Sequence, residues 1–273
     1  MLKSLLKQVT PPIIWDALRS RIIPARPAVT YEGQFRSFEE VRAAYADFTN
    51  YHSPASALDE AEAALRKKKC FEDGRWPEDS QALTRLNFLP TLLTVHPGKT
   101  ISVLDVGGGY GEAFLSLKAA LPARDLRVTV VELPATVERA AEVFSDDPGI
   151  RFFDRIPEGN EKFDAVHFGS SLQYFENYRE ILDRVIALNP GLIVISDTTM
   201  GEAETFVAAQ VNMAGRAIPR LVFNRAEVTG HIVSQGFDLL HVSANFSGGL
   251  DFANYEPPIS ATAHWNLVFG SEK

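Results

Sequence analysis

From residue 100 onward, short apolar runs alternate with stretches whose apolar positions recur every three or four residues, the pattern of strands joined by helices in a doubly wound α/β sheet. Residues 101–106 read as a buried strand, and residues 112–121 as a helix with Ala113, Phe114, Leu117, Ala120 and Leu121 on its inner face. Residues 128–132 form the next strand, and Pro134 opens a helix that runs to about Phe144. Strands follow at 150–153, 163–169 and 191–197, with a helix at 177–188 and a turn at Asn189-Pro190-Gly191. A further helix is expected at about 202–214, and Asn224 with Glu227 three residues on caps another. Residues 237–246 and 259–269 then read as two strands with no helix between them, an antiparallel hairpin closing a mostly parallel sheet.

Ahead of residue 100 the periodicity is helical. Ser37-Phe38-Glu39-Glu40 is a capping box before an apolar stripe of Val41, Ala44, Tyr45 and Phe48. Helices are expected at 55–70 and about 79–95, the last stopped by His96-Pro97-Gly98. The chain therefore divides into a helical extension, residues 1–99, and an α/β domain, residues 100–273.

Composition narrows the function more than the fold. A net charge of −8 and a pI near 5.3 argue against a general nucleic-acid binder, which needs a basic face. One cysteine, Cys70, permits no disulfide within the chain, so a reducing cytoplasm is the expected location. His52, His96, His231 and His241 have no carboxylate or cysteine at ligand spacing, and no metal is expected. No apolar stretch reaches the length of a membrane span. The first thirty residues differ from the rest: Lys3, Lys7, Arg19, Arg21 and Arg26 face only Asp16, amid Leu2, Leu5, Leu6, Ile13, Ile14, Trp15 and Leu18. Such a segment suits either peripheral contact with the inner face of a membrane or packing on another subunit, although Pro11, Pro12, Pro24 and Pro27 break it into short pieces.

The chemistry is concentrated in Val103-Leu104-Asp105-Val106-Gly107-Gly108-Gly109-Tyr110-Gly111, a strand turning tightly into a helix. Glycines there let the backbone bend and let a ligand touch it. The dinucleotide spacing G-x-G-x-x-G places Glu112 at its third glycine, whereas G-x-G-x-G fits through Gly107, Gly109 and Gly111. The first spacing belongs to nicotinamide-dependent oxidoreductases, which Glu112 and the closing hairpin both disfavour.

VLDVGGGYG resembles motif I of the class I S-adenosylmethionine-dependent methyltransferases. Phe163-Asp164-Ala165-Val166-His167-Phe168-Gly169-Ser170-Ser171-Leu172-Gln173-Tyr174 resembles motif IV of the same superfamily. The resemblance implies seven strands, the last antiparallel, over residues 100–270, with S-adenosylmethionine as cofactor and the N-terminal extension as a lid over the substrate side. It implies that the backbone of Gly107, Gly109 and Gly111 approaches the methionine and ribose, and that Asp105 helps hold the methionine amino group. Glu132 is then the acceptor for the ribose diol, Leu133 and Phe153 flank the adenine, and Asp154 lies near its amine. Gly169 and Ser170 border the cofactor, while Gln173 and Tyr174 face the acceptor.

His167 is expected as a satisfied core histidine, and Asp164 as a group that orders backbone. Should the acceptor be a hydroxyl, a base would help, with Asp197 the first choice and Tyr174 and His264 next. Tyr31-Glu32-Gly33-Gln34-Phe35-Arg36-Ser37-Phe38-Glu39-Glu40, Asn50-Tyr51-His52-Ser53-Pro54, Val131-Glu132-Leu133-Pro134 and Leu172-Gln173-Tyr174 are together similar to a bacterial methyltransferase family often encoded among surface-polysaccharide genes. Members of that family carry a basic residue, threonine and proline after the fifth strand, where this chain has Asp197-Thr198-Thr199, so an inherited acceptor is in doubt. The expected activity is methyl transfer, as O-methylation, to a small-molecule or sugar-like acceptor. The rivals are the oxidoreductase and a non-enzymatic interaction module of the same fold.

Overall fold

A computed structural model describes residues 30–46, 54–73, 88–159, 161–213, 216–245, 252 and 254–271. The basic N-terminal segment, except Thr30, lies outside them, as do Phe48, His52 and the first nine residues of the helix expected at 79–95.

The elements run β1 (Tyr31–Phe35), α1 (Phe38–Ala44), α2 (Pro54–Glu72), α3 (Phe88–Leu93), β2 (Thr100–Val106), α4 (Glu112–Ala120), β3 (Asp125–Val131), α5 (Pro134–Val143), β4 (Ile150–Phe153) and β5 (Ala165–Gly169). They continue with a 3₁₀ turn (Leu172–Tyr174), α6 (Tyr178–Ala187), β6 (Leu192–Gly201), β7 (Phe206–Met213), β8 (Arg216–Asn224), α7 (Arg225–Val233), β9 (Phe237–Asn245), a second 3₁₀ turn (Ile259–Ala261) and β10 (Ala263–Ser271). Seven strands build the main sheet in the order β4-β3-β2-β5-β6-β10-β9, with β4 to β6 parallel and β10 antiparallel to both neighbours. The closing hairpin read from the sequence is thus present, and its last strand slots between β6 and β9.

The caps behave as local chemistry requires. Ser37 accepts from the Glu40 amide at 3.2 Å, while the Glu40 carboxylate reaches one residue further back than a capping box, to the Arg36 amide at 2.7 Å. Pro134 occupies the first turn of α5, and the Asn224 side chain accepts from the Glu227 amide at 3.1 Å to start α7.

The structure corrects the reading of residues 202–214, of which Phe206–Met213 form β7 rather than part of a helix, and adds β1 and β8. These three strands make an antiparallel unit, β1-β7-β8, that joins the main sheet where β8 pairs in parallel with the last residues of β6, Met200 opposite Phe223. The physical reason is two-sided burial. Val207 and Ala209 enter the core of the main sheet while Ala208 faces Tyr31, Val222 and Phe252, so no two-residue alternation marks the strand. The N-terminal extension is accordingly not all helical: β1 is built into this unit beside β7.

The main sheet is packed on both faces. Leu104, Val106, Val166, Phe168, Ile193 and Ile195 point to the side covered by Leu182, Val185, Val228 and Ile232. Ile101, Val103, Val128, Val130 and Val194 point to the side covered by Phe114, Leu117, Ala140 and Val143. Each such buried aliphatic or aromatic side chain contributes about 1.5–3 kcal/mol relative to an exposed one. On the second side α2 also docks beside the glycine loop, with Lys67 paired to Glu112 and Lys68 to Asp146. Among the described residues no helix is long and apolar enough to cross a membrane.

Candidate active site

The glycine loop leaves β2 with Gly107, Gly109 and Gly111 at φ +70°, +55° and +74°, a backbone region that other residues adopt only under strain. The loop is tied down by its flanks: the Gly107 amide donates to Val131 O at 2.8 Å, and Ser171 Oγ donates to Val106 O at 2.5 Å. The four glycines are not equivalent. A Cβ would meet Ser171 Cβ at 2.6 Å from Gly107, Asp105 Oδ2 at 2.3 Å from Gly108, and Ile150 Cδ1 at 2.6 Å from Gly111. At Gly109 it would meet nothing within 4 Å. Gly107, Gly108 and Gly111 therefore serve packing, and Gly109 is the one that presents bare backbone to open space.

Asp105 does not point into that space. It is 1% exposed, and its Oδ1 lies 2.8 Å from His167 Nδ1, while His167 Nε2 lies 2.9 Å from Ser196 Oγ. A carboxylate can only accept, so Nδ1 donates to Asp105, and the other ring nitrogen is met by the serine hydroxyl. The three side chains cross β2, β5 and β6 on one face of the sheet. His167 is thus the satisfied core histidine expected, and Asp105 orders the loop from beneath. Asp164 likewise orders backbone, accepting from the Ser102 amide at 2.8 Å.

The ends of β3 and β4 bring four further candidates together. The Glu132 amide donates to Phe153 O at 3.0 Å, which sets Glu132, Leu133, Phe153 and Asp154 side by side past the carboxyl ends of the strands. Leu133 is 44% exposed and Phe153 40%, an apolar pair turned outward at a sheet edge that otherwise buries such residues. Asp154 lies 3.3 Å from Arg155 and is half exposed. Glu132 accepts from the Leu133 amide at 2.9 Å through Oε2. Desolvation pushes its carboxyl up to about 6; Asp105 and Glu60 push the same way, and the Leu133 amide opposes them. A raised carboxyl favours the protonated folded state, so this group's contribution to stability is full below its unfolded value near 4.5 and is lost as pH rises through 6. The loss is about 2 kcal/mol. Among the described residues only the Leu133 amide donates to this carboxyl group. Glu60 comes from α2, so the extension borders this edge.

Past β5 the chain turns through Gly169, where a Cβ would strike the His167 ring at 2.6 Å, and Ser170, at φ +57°. Gln173 donates to Ser170 O at 2.8 Å, and Tyr174 Oη donates to Gln210 Oε1 at 3.1 Å. Within β6 the register slips: Leu267 faces Ile195 and Trp265 faces Thr198, so Ser196 and Asp197 stand opposite Asn266 alone. The bulge holds Asp197 at φ +52°, with its amide donating to Asn266 Oδ1 at 2.9 Å, and re-aims its carboxylate. Asp197 Oδ1 then lies 3.2 Å from His264 Nδ1. Two of the three base candidates are one pair, while Tyr174 stands apart against Gln210. His96 and His231 also find carboxylates, Asp164 at 3.2 Å and Asp183 at 2.8 Å, through contacts too distant in the chain to be read from spacing.

Reading along the chain missed Tyr31, Gln210, Arg220 and Asn266. Arg220 alone left a signal, a charge inside the apolar run Ile218-Pro219-Arg220-Leu221-Val222-Phe223.

No curated protein matches the sequence. Similar solved structures include the 1,6-didemethyltoxoflavin-N1-methyltransferase of Burkholderia thailandensis, solved with 1,6-didemethyltoxoflavin and S-adenosylhomocysteine, at 18% identity and a TM-score of 0.49 over 83% of this chain and 95% of that one. An S-adenosylmethionine-dependent methyltransferase from Mesorhizobium loti is 17% identical, with a TM-score of 0.48 over 67% of this chain and 96% of that one. Likeness at that level says nothing of the acceptor. The family model for a methyltransferase domain, however, matches residues 42–232, most of the chain. With that match spanning the glycine loop, the Glu132 edge and the Asp197 bulge, this chain belongs to the methyltransferase domain family.

Proposed function

We propose that the protein is an S-adenosylmethionine-dependent O-methyltransferase acting on a small-molecule or sugar-like acceptor. The residues fit the cofactor: Gly109 leaves bare backbone toward open space, Glu132 has an oxygen that meets no donor among the described residues, and Leu133 and Phe153 expose apolar walls beside it. Glu132 would accept from the ribose hydroxyls, Leu133 and Phe153 would flank the adenine, and Asp154 would border its amine. Gly107 and Gly111 shape the loop, with Asp105 beneath it, and Gly169 and Ser170 would border the cofactor, with Gln173 and Tyr174 toward the acceptor. S-adenosylmethionine supplies an activated methyl group when bound, and the protein's part is positioning and proton handling.

The observation that favours oxygen is the Asp197–His264 pair. His264 Nδ1 faces the carboxylate at 3.2 Å, which leaves Nε2 to take the proton of an acceptor hydroxyl while Asp197 holds the ring. Incubation with methyl-labelled S-adenosylmethionine and a panel of hydroxyl-bearing sugars and sugar acids checks this. Label in an ether-linked methyl group is expected, and label on nitrogen or carbon would overturn it.

Cofactor binding is tested separately. Glu132→Ala is expected to weaken S-adenosylhomocysteine binding by about 1–3 kcal/mol in calorimetric titration, the usual range for a hydrogen bond to a charged group. Unchanged affinity in the folded variant, or tight NADH binding by the wild type, would sink the assignment. The carboxyl near 6 adds a pH signature. Hydroxyl donors favour the ionised carboxylate, so wild-type affinity should fall by up to about tenfold between pH 7.5 and pH 5. Glu132→Gln should lose that slope.

A further inference from the structure

Arg220, in the middle of β8, is 3% exposed, yet among the described residues it meets no carboxylate. All its partners are neutral. Nη1 donates to the Tyr31 hydroxyl at 2.5 Å and to Gln210 Oε1 at 3.5 Å, and Nη2 donates to Thr199 Oγ1. The guanidinium carbon lies 4.7 Å from the centre of the Tyr31 ring and 5.5 Å from that of Tyr174. Its Nε, fully buried, donates to nothing among the described residues. A guanidinium has five N–H donors and stays charged at physiological pH, and burying such a charge is costly unless it is paired. The free Nε–H shares one edge of the fork with Nη2, the edge that takes two oxygens of a carboxylate or phosphate at once.

A second unpaired group lies in the adjoining 3₁₀ turn. Gln173 is 0% exposed and donates through Nε2 to Ser170 O at 2.8 Å and to Ser170 Oγ at 3.1 Å. Because a carbonyl oxygen can only accept, the amide orientation is settled, and Oε1 is left buried with no donor. The turn packs on β8. Thr199 follows Asp197 by two residues on β6, and Tyr174 follows Ser170 by four. The guanidinium is therefore placed past the carboxyl end of β5 and beside the carboxyl-terminal half of β6, the side of the sheet on which open α/β folds bind ligands. Tyr174, 41% exposed, is the side of the cluster that reaches solvent.

We propose that Arg220 is the acceptor anchor: it takes the carboxylate or phosphate of an anionic acceptor, and Gln173 Oε1 accepts from a hydroxyl of the same molecule. The substrate class is then an acidic sugar, a sugar phosphate or a hydroxy acid. This rests on the methyl-transfer reading above and narrows its acceptor. It also assigns β1-β7-β8 a purpose, since Tyr31, Gln210 and Arg220 each come from one of its strands.

The test is binding of inorganic phosphate and of acetate to the full-length protein saturated with S-adenosylhomocysteine, against sodium chloride at equal ionic strength. Wild type should gain thermal stability with rising phosphate or acetate beyond the chloride control, and the stronger of the two identifies the anionic group. Arg220→Gln should weaken that binding by about tenfold or more while S-adenosylhomocysteine affinity stays within about twofold. Arg220→Lys, which keeps the charge and loses the fork, should fall between. Phosphate and acetate indistinguishable from chloride in the wild type would overturn the assignment of Arg220, whether or not the variants fold. Failure of the wild type to bind S-adenosylhomocysteine would instead overturn the methyl-transfer reading.

Discussion

Replacing His167 by leucine is expected to lower the free energy of unfolding by about 3–5 kcal/mol, the cost of leaving a buried charge without its partner. Asp105 is 1% exposed, and the imidazole at 2.8 Å is the group that answers its carboxylate. The substitution also strands the Ser196 hydroxyl, which lies 2.9 Å from the other ring nitrogen. Urea denaturation of wild type and variant measures the loss. The double variant Asp105→Leu with His167→Leu should recover much of it, because removing both partners leaves no uncompensated charge. A single-variant loss below about 1 kcal/mol would show that Asp105 is satisfied in some other way.

The second large effect separates two glycines of one loop. Gly111→Ala forces a side chain to φ +74° and drives its Cβ to 2.6 Å from Ile150 Cδ1. Left-handed backbone costs about 1–2 kcal/mol and overpacking about 1–3 kcal/mol, so a total loss of about 2–5 kcal/mol is expected. Gly109→Ala carries the same backbone cost at φ +55° but meets no neighbour, so about 1–2 kcal/mol is expected. Its effect should fall instead on ligand binding, with S-adenosylhomocysteine affinity reduced about tenfold or more as the methyl group occupies the open side. Denaturation and titration of the two variants side by side test the contrast. Equal stability losses, or an unaltered affinity in Gly109→Ala, would remove Gly109 from the cofactor surface.

The two glycines also mark how far reading along the chain goes. The spacing Gly107, Gly109, Gly111 identifies the loop, because strand, turn and helix are adjacent in sequence and each declares itself by local propensity. It does not say which glycine packs and which faces a ligand. That depends on Ile150 and Ser171, which reach the loop from other strands and turns. Glu132 was legible for the same local reason, being the residue at which an apolar strand ends. Its raised carboxyl was not, since burial and the approach of Asp105 and Glu60 produce it.

The base candidates show the division most clearly. Asp197 and His264 stand 67 residues apart and read as separate possibilities, and a bulge opposite Asn266 makes them a pair. The misread segment has a related cause: β7 is buried on both faces, with Val207 and Ala209 in the main-sheet core and Ala208 in the cluster of Tyr31, Val222 and Phe252, so its apolar residues carry no period for a strand to announce itself. By itself the sequence determined the strand-helix alternation, the glycine loop, the acidic residue at the end of β3 and the closing hairpin, because periodicity, caps and turns act within a few residues. The tertiary structure alone decided the pairing of Asp105 with His167 and of Asp197 with His264, the added three-stranded unit and the burial of Arg220 among neutral partners. Each depends on contacts between groups far apart in the chain, whose worth is set by burial and distance rather than by neighbours in sequence.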